Sequence, residues 1–252
     1  MSNTDRVDKK LFEGDHYLGK PADPDDLLIQ RRIRLVREIP GFIDNSLDLL
    51  EIGCGNGNTL LTLASEFKHC TGLEYETAHK ETFDRLKEKL KAENAEFVHW
   101  DISKESYPKK FDRLISFEVI EHLPSEANLV NYRDSLNPGA LAAIAVPNKW
   151  WIFETHGARL PLLPWNRVPF FSWLPGFIHG RYANARIYTK ARIKALLEKY
   201  GFEVLRMQYI TAPMDVVKWS PLQKLLRGTL FRQDTTTVPF KAVSIFIVAR
   251  RK

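Results

Sequence analysis

The chain has 252 residues, and its 37 Lys and Arg against 31 Asp and Glu give a formal net charge of +6. With 44% hydrophobic and 27% charged residues it has the composition of an ordinary globular protein, which excludes collagen-like, low-complexity and globally disordered classes. The length is enough for one α/β domain with an insertion, or for two small domains, and it can bury a large hydrophobic core.

Residues 1–24 are polar and rich in charge, and we interpret them as an N-terminal arm or flap that precedes the main domain, residues 25–252. A helical pattern over residues 25–38 ends at Pro40-Gly41, and a regular alternation follows. The predicted strands are residues 47–52, 70–75, 96–100, 113–117, 140–146, 202–210 and 242–249, and the helices between them are residues 58–67, 77–93, 125–136 and 189–200. This order predicts a Rossmann-like α/β fold, a mostly parallel seven-stranded sheet with helices on both faces.

Two segments interrupt the alternation. Residues 149–188 are rich in aromatic residues and proline, which predicts a cover over an apolar substrate pocket, with a long loop packed on the sheet as the alternative. Residues 214–232 join Trp219 and several leucines with Lys and Arg, as in a basic amphipathic helix on an anionic membrane. The alternative is an insert packed on the core with a solvated basic face. Residues 214–252 carry eight basic and two acidic side chains, and so match the whole net charge of +6.

Features of secreted and membrane-spanning proteins are missing from the sequence. The N-terminus has no apolar signal segment, and the longest apolar stretches, residues 139–147 and 168–178, are about half as long as a bilayer span. Cys54 and Cys70 are the only cysteines, too few for a disulfide framework or a zinc site. We therefore predict a cytoplasmic protein, with peripheral contact at a membrane if residues 214–232 form the basic helix.

A glycine-rich loop, residues 53–57, lies where the first predicted strand turns into the next helix. Glycines there allow a ligand to approach the backbone and the helix N-terminus. The dinucleotide fingerprint G-x-G-x-x-G would need a glycine where Asn58 stands, whereas here the glycines recur at every second residue. Glu74 closes the next strand, where its carboxylate can accept hydrogen bonds from ribose hydroxyls. The loop and Glu74 together therefore predict a site for a ligand that contains ribose, but not the dinucleotide site of the G-x-G-x-x-G fingerprint.

Four motifs in chain order carry a family resemblance: LDLLEIGCGNG, GLEYE, VHWDIS and FDRLISFEVIEHL. Together they resemble class I S-adenosylmethionine-dependent methyltransferases, of the methyltransferase type 11 or ubiquinone O-methyltransferase kind. The resemblance implies S-adenosyl-L-methionine as cofactor and a sheet whose last strand is antiparallel. It implies a cofactor site formed by Glu51, Gly53, Cys54, Gly55, Gly57, Glu74, Tyr75, Asp101, Ile102, Phe117 and Glu118.

The resemblance also implies a role for each group. Glu51 and the glycine backbone would cradle the methionine part, Glu74 the ribose diol and Asp101 the adenine amino group. Trp100 and Ile102 would flank the adenine, with Phe117 and Glu118 beside the sulfonium. A solvated strand end for Glu74, a helix cap for Asp101 and core packing for Trp100 are the alternatives.

Two carboxylates and an imidazole, from Glu118, Glu121 and His122, follow the fourth predicted strand. If this piece is helical they share a face, and a histidine with a pKa near about 6.5 suits a general base. The triplet also resembles the metal site of ubiquinone-type and small-RNA 2′-O-methyltransferases, where a later histidine, here His156 or His179, completes a site for Mg²⁺. A Glu-His pair without metal is the alternative. The catalytic candidates are His122, Glu121 and His156.

The predicted function is O-methylation of a small or lipid-like acceptor, quinone-like or amphiphilic, with S-adenosylmethionine as methyl donor. The Glu-Glu-His set and the basic C-terminal stretch leave an RNA 2′-O-methyltransferase as an alternative, and a non-catalytic cofactor-binding protein is a third. No RNA-binding module is recognisable, and the apolar insertion suits a nucleotide poorly, so a nucleic acid partner is not expected.

Overall fold

The computed structural model describes residues 26–154, 156, 158–160, 163–165 and 169–252. The predicted N-terminal arm, residues 1–24, lies outside the described residues. The strands of the described part are β1 (Asp44–Ile52), β2 (Phe67–Glu74), β3 (Ala95–His99), β4 (Phe111–Phe117), β5 (Leu136–Pro147), β6 (Ala158–Leu160), β7 (Leu163–Trp165), β8 (Phe202–Thr211), β9 (Thr235–Thr236) and β10 (Ala242–Arg251).

Eight of these strands form one mixed sheet in the order β3-β2-β1-β4-β5-β10-β8-β9. The first five strands along the chain pair in parallel, and β10 lies antiparallel between β5 and β8. The predicted Rossmann-like sheet with an antiparallel last strand is therefore confirmed. Its eighth strand, β9, has only two residues, paired with the edge of β8, and is too short to leave a pattern in the sequence. β6 and β7 form a separate hairpin in the aromatic insertion.

The helices are α1 (Leu27–Arg37), α2 (Asn58–Leu63), α3 (Lys80–Leu90), α4 (Leu129–Asp134), α5 (Gly176–Tyr182), α6 (Lys190–Lys199) and α7 (Ser220–Gly228). Leu49 and Leu50 of β1 point to opposite faces of the sheet, as neighbours on a strand must. Leu49 packs in a core with apolar side chains of α1, α2 and α3. Leu50 packs in a second core with side chains of α4 and α6. Helices therefore cover both faces, as predicted.

Three of the predicted helices are shorter as α-helices than the sequence pattern indicates. In each, one end is a 3₁₀ turn, at Ala64–Glu66, Thr77–His79 and Glu126–Asn128. A 3₁₀ turn has nearly the same side-chain spacing as an α-helix, so the sequence does not separate the two. None of the described helices combines the length and the apolar character that crossing a bilayer requires.

Candidate active site

The glycine loop turns sharply from β1 into α2. Gly53 and Gly57 have φ angles of 74° and 76°, in the left-handed region that favours glycine. A Cβ on Gly53 would lie 2.3 Å from a methyl group of Val119, and one on Gly57 would lie 2.2 Å from the Phe83 ring. Gly55 also has a positive φ, but the space beside it is open. Side chains therefore fill the space beside Gly53 and Gly57, whereas the space beside Gly55 is open to a ligand.

Glu51 lies near the end of β1 beneath this loop. Its side chain is buried, and its Oε2 accepts a hydrogen bond of 3.0 Å from the Leu60 N–H at the start of α2. Burial raises the pKa of the Glu51 carboxyl well above its ordinary value, with the Leu60 N–H opposing the shift and the charge of Glu74 adding to it. A cationic group nearby would favour the ionised form of this carboxyl.

Glu74 lies at the carboxyl end of β2, facing the glycine loop. Its two carboxylate oxygens accept hydrogen bonds from the backbone N–H groups of Gly55, at 2.8 Å, and Glu76, at 3.0 Å. The half-buried carboxylate is therefore fixed against the backbone of the glycine loop at Gly55. The neighbouring Tyr75 is exposed, at 49% of its full surface.

The turn after β3 contains the predicted adenine-binding residues. Asp101 Oδ1 accepts hydrogen bonds from the Ser103 N–H, at 3.0 Å, and the Ser103 hydroxyl, at 2.6 Å, and Oδ2 lies 3.4 Å from Lys104 Nζ. Asp101 thus forms a turn at residues 101–104, where no helix begins, so it is not the helix cap that the sequence left as an alternative. Ile102 is buried and Trp100 is half-buried beside the same core.

Glu118 follows β4 in a left-handed conformation, with φ of 58°. Its Oε1 accepts hydrogen bonds from Arg32 Nη2, at 2.5 Å, and from the Ser244 hydroxyl, at 2.7 Å. The Arg32 guanidinium also lies 5.5 Å from the centre of the Phe117 ring. Phe117 and Glu118 therefore lie at the edge where β1 and β4 end, as the sequence predicts, with two partners that the sequence analysis missed.

A signal for Arg32 was present in the sequence. It stands three residues after Ile29 and four before Val36, both buried, and so belongs to the apolar face of α1. A charged residue in that position needs a buried partner.

Glu121 and His122 form a single 3₁₀ turn, Ile120–His122, so the helix that would place them on one face with Glu118 does not form. His156 brings the group together instead. Its Nε2 lies 3.5 Å from Glu121 Oε1 and 3.9 Å from Glu118 Oε2, and its ring centre lies 4.9 Å from that of His122. Glu121 is fully buried, and burial, followed by the charge of Glu118, raises its pKa well above the ordinary value.

The second candidate for the later histidine, His179, lies elsewhere. Its Nε2 is 2.8 Å from Glu154 Oε2, both side chains are buried, and its ring contacts Phe171. Among the described residues, Glu121, His122 and His156 offer ligand atoms within 4.8 Å of one another. Two imidazoles with one fully buried carboxyl fit Mg²⁺ poorly, because that ion takes mainly oxygen ligands and keeps several waters.

A cavity of about 260 Å³ opens beside Glu118 and His156. Its walls combine seven apolar side chains, from α1, the aromatic insertion, the chain after β8 and the start of β10, with six polar or charged ones. The residues that line it are Asp26, Leu28, Arg32, Glu118, Trp151, Phe153, His156, Pro213, Met214, Asp215, Val216, Val243 and Ser244. A cavity that combines apolar walls with convergent polar groups is a usual form of small-molecule site.

The sequence is similar to known methyltransferases. A family described as a methyltransferase domain matches residues 26–207. The (S)-tetrahydroprotoberberine N-methyltransferase of Eschscholzia californica is 34% identical over 83 residues, 32% of this chain and 24% of the relative. The malonyl-(acyl-carrier protein) O-methyltransferase 2 of Ilyobacter polytropus is 27% identical over 153 residues, 59% of this chain and 58% of the relative. The chain thus spans from a quarter to just over half of the length of these curated relatives.

Solved structures share the fold. An S-adenosylmethionine-dependent methyltransferase from Mesorhizobium loti has a TM-score of 0.62 at 14% identity, over 91% of this chain and all of the other. Coclaurine N-methyltransferase bound to N-methylheliamine and SAH has a TM-score of 0.60 at 15% identity, over 96% of this chain and 80% of the other. Because the family match spans most of its length, the chain belongs to the methyltransferase domain family and shares the fold of S-adenosylmethionine-dependent methyltransferases.

Proposed function

We propose that this protein transfers the methyl group of S-adenosylmethionine to an oxygen atom of a small or lipid-like acceptor bound in the 260 Å³ cavity. One observation carries the proposal: His156 and Glu118 line a cavity of mixed apolar and polar character at the point where the chain after β4 contacts the glycine loop. Methyl transfer needs a cofactor sulfonium, an acceptor aligned with it and, for an oxygen acceptor, a group that removes a proton.

The residues around the glycine loop fit the cofactor. The open space beside Gly55 gives it access to the backbone, the buried Glu51 lies beneath the loop, and Glu74 is held at its rim. When bound, S-adenosylmethionine supplies an electrophilic methyl group on a positively charged sulfur. This chain would bind the amino acid part beside Glu51 and the ribose beside Glu74, with Glu118 beside the sulfonium.

His156 is the proposed general base, because its imidazole lines the cavity. The proton of an acceptor hydroxyl would move to the His156 ring as the oxygen attacks. The positive charge that forms there lies 3.9 Å from Glu118 Oε2, whose negative charge stabilises it, and 3.5 Å from the buried Glu121 Oε1, which can accept a hydrogen bond. His122 packs edge-on against the His156 ring and holds its orientation. Glu121 and His122 therefore support His156 rather than contacting the acceptor.

The test is a screen of metabolite and lipid extracts with S-adenosylmethionine labelled in the methyl group, followed by identification of the labelled product. The His156→Gln variant keeps a polar side chain of similar size but cannot accept the proton, and it should lower kcat by about 10²- to 10⁴-fold. Label appearing only in added RNA, or in no extract at all, would overturn the proposal.

An amine acceptor is the second candidate. Beside the Arg32–Glu118 ion pair, Asp26 and Asp215 add two further acidic residues to the cavity lining, which favours a cationic group. Relatives that match about a third of the chain are named as N-methyltransferases. The labelled product separates the two candidates, because an N-methyl amine and an O-methyl ether or ester differ in mass fragments and in acid stability.

We further propose peripheral contact with an anionic membrane through α7 and its flanks. Leu226 and Phe231 pack inward on a small core around Trp151, whereas Trp219, Leu225 and Leu230 are 67%, 60% and 61% exposed. Exposed basic residues flank them, at Lys218, Lys224 and Arg232. A helix that exposes apolar and basic side chains together is suited to a lipid surface, where a lipid-like acceptor would be met.

A further inference from the structure

Arg32 projects from α1 into the active site, where nothing in the sequence motifs had placed a cation. It is only 7% exposed. Its Nη2 donates to Glu118 Oε1 at 2.5 Å and lies 3.4 Å from the Ser244 hydroxyl, and Ser244 itself donates to the same carboxylate oxygen. Arg32 and Glu118 are therefore a partly buried ion pair in the wall of the cavity.

The neighbouring Arg31 attaches α1 to the rest of the fold through partners that differ from those of Arg32. The fully buried Arg31 donates to the backbone carbonyls of Thr211, Ala212 and Phe231, and its Nε lies 3.4 Å from Asp234. Two adjacent arginines thus have different partners: one bonds to backbone of the core, the other to the carboxylate of the active site. Of the two arginines, Arg32 is the one that contacts Glu118 and lines the cavity.

The position of the pair relative to the cofactor follows from the glycine loop. Val119, directly after Glu118, occupies the space against Gly53. β4 pairs with β1 in a register that sets Ile115 beside Glu51, so both strands end at the same edge. The Glu118 carboxylate consequently lies beside the glycine loop. This inference rests on the proposed function, in which the sulfonium is held at that side of the loop.

We propose that Arg32 is a positioning residue that holds Glu118 and offsets its charge beside the sulfonium, and so sets how strongly the site prefers S-adenosylmethionine to S-adenosylhomocysteine. The two nucleosides differ by one methyl group and one positive charge. A carboxylate without a counter-charge would stabilise the cationic cofactor more than the transition state, in which that charge is being lost, and would slow the reaction. The guanidinium of Arg32 reduces this excess stabilisation while keeping the carboxylate in place.

Isothermal titration of both nucleosides into variants at one pH and salt tests this, and it needs no acceptor. Arg32→Gln leaves Glu118 without its counter-charge, and should raise the ratio of the S-adenosylhomocysteine Kd to the S-adenosylmethionine Kd by about tenfold. Glu118→Gln leaves Arg32 uncompensated and should lower the ratio by a similar factor. The double variant should return it close to the wild-type value, because the site is again neutral.

Two controls separate charge from contact. Arg32→Lys keeps the charge and Ser244→Ala removes an uncharged hydrogen bond to the same oxygen, so each should change the ratio less than about threefold. Thermal unfolding of each variant confirms that it is folded. Equal changes in both affinities, with a constant ratio in Arg32→Gln and Glu118→Gln, would overturn the inference and leave the proposed function standing. A wild-type protein that binds neither nucleoside would overturn both.

Discussion

Glu74 connects the second strand to the glycine loop through two backbone N–H groups. Replacing it by alanine would leave the Gly55 and Glu76 N–H groups without their acceptor and would remove the proposed ribose contact. We expect Glu74→Ala to weaken S-adenosylmethionine binding by about 1 to 3 kcal/mol, measured by isothermal titration. The matched control is Glu76→Ala, which removes a carboxylate two residues away that bonds only to the Ala78 N–H among the contacts seen here. Equal affinity for Glu74→Ala and wild type would exclude Glu74 from the site.

Gly57 and Gly139 separate two reasons for a glycine. Both have positive φ, but a Cβ would meet the Phe83 ring at 2.2 Å on Gly57 and nothing within 4 Å on Gly139. Gly139→Ala should therefore cost about 1 to 2 kcal/mol for the left-handed backbone. Gly57→Ala should cost about 1 to 3 kcal/mol more, because the core must move. Urea unfolding measures both, and equal losses would mean that the ring of Phe83 moves aside freely.

Strands and helices of this chain were predictable where one face is buried. The strands that became β1 to β5, β8 and β10 carry apolar residues on the faces that meet the two cores, and the helices show the matching 3.6-residue spacing. The position of the proposed cofactor residues was predictable for the same reason, because the carboxyl ends of parallel strands meet at one edge of the sheet. β9 has too few residues for any pattern.

Contacts between distant elements were not predictable in the same way. His156 and His179 both lie in a segment without periodicity, so the sequence could not tell which one reaches Glu121. Arg32 meets Glu118 across 86 positions of the chain, and only its place on the apolar face of α1 marks it as a residue with a buried partner. Such pairs depend on how the helices seat on the sheet, which no local pattern records.

The helix α7 and its flanking residues divide their apolar side chains between the protein and solvent. Two of the exposed ones, Trp219 and Leu225, would insert at a lipid surface, so the double variant Trp219→Ser/Leu225→Ser should reduce co-sedimentation with phosphatidylglycerol vesicles by at least about tenfold. Raising the salt concentration should weaken wild-type binding, because lysines and arginines near the surface attract the anionic lipid.

The control for α7 lies on another element. Leu205 of β8 is 41% exposed, similar in chemistry but outside the basic helix, and Leu205→Ser should leave vesicle binding unchanged. Equal binding by wild type and the α7 double variant, or binding that ignores salt, would contradict the membrane contact.

The whole fold protects both cysteines from solvent. Cys54 in the glycine loop is 6% exposed and Cys70 in β2 is fully buried. Burial raises the pKa of the Cys70 thiol to about 12 and that of Cys54 well above its ordinary value. When the fold opens and exposes them to solvent, both thiols would have a pKa of about 8.5. A thiol reagent should therefore label the protein only through opening, and the labelling rate should level off above about pH 9 instead of rising toward 12.

Cofactor binding should then slow labelling, because it stabilises the closed fold. At about 100 times its Kd, S-adenosylmethionine adds about 2.7 kcal/mol to the free energy of opening, which corresponds to about a hundredfold slower labelling if the whole domain opens. The Cys54→Ala variant isolates Cys70, which lies in the central sheet. Slowing at Cys54 but not at Cys70 would mean that the glycine loop opens alone, and that the cofactor stabilises the loop without stabilising the sheet that carries it.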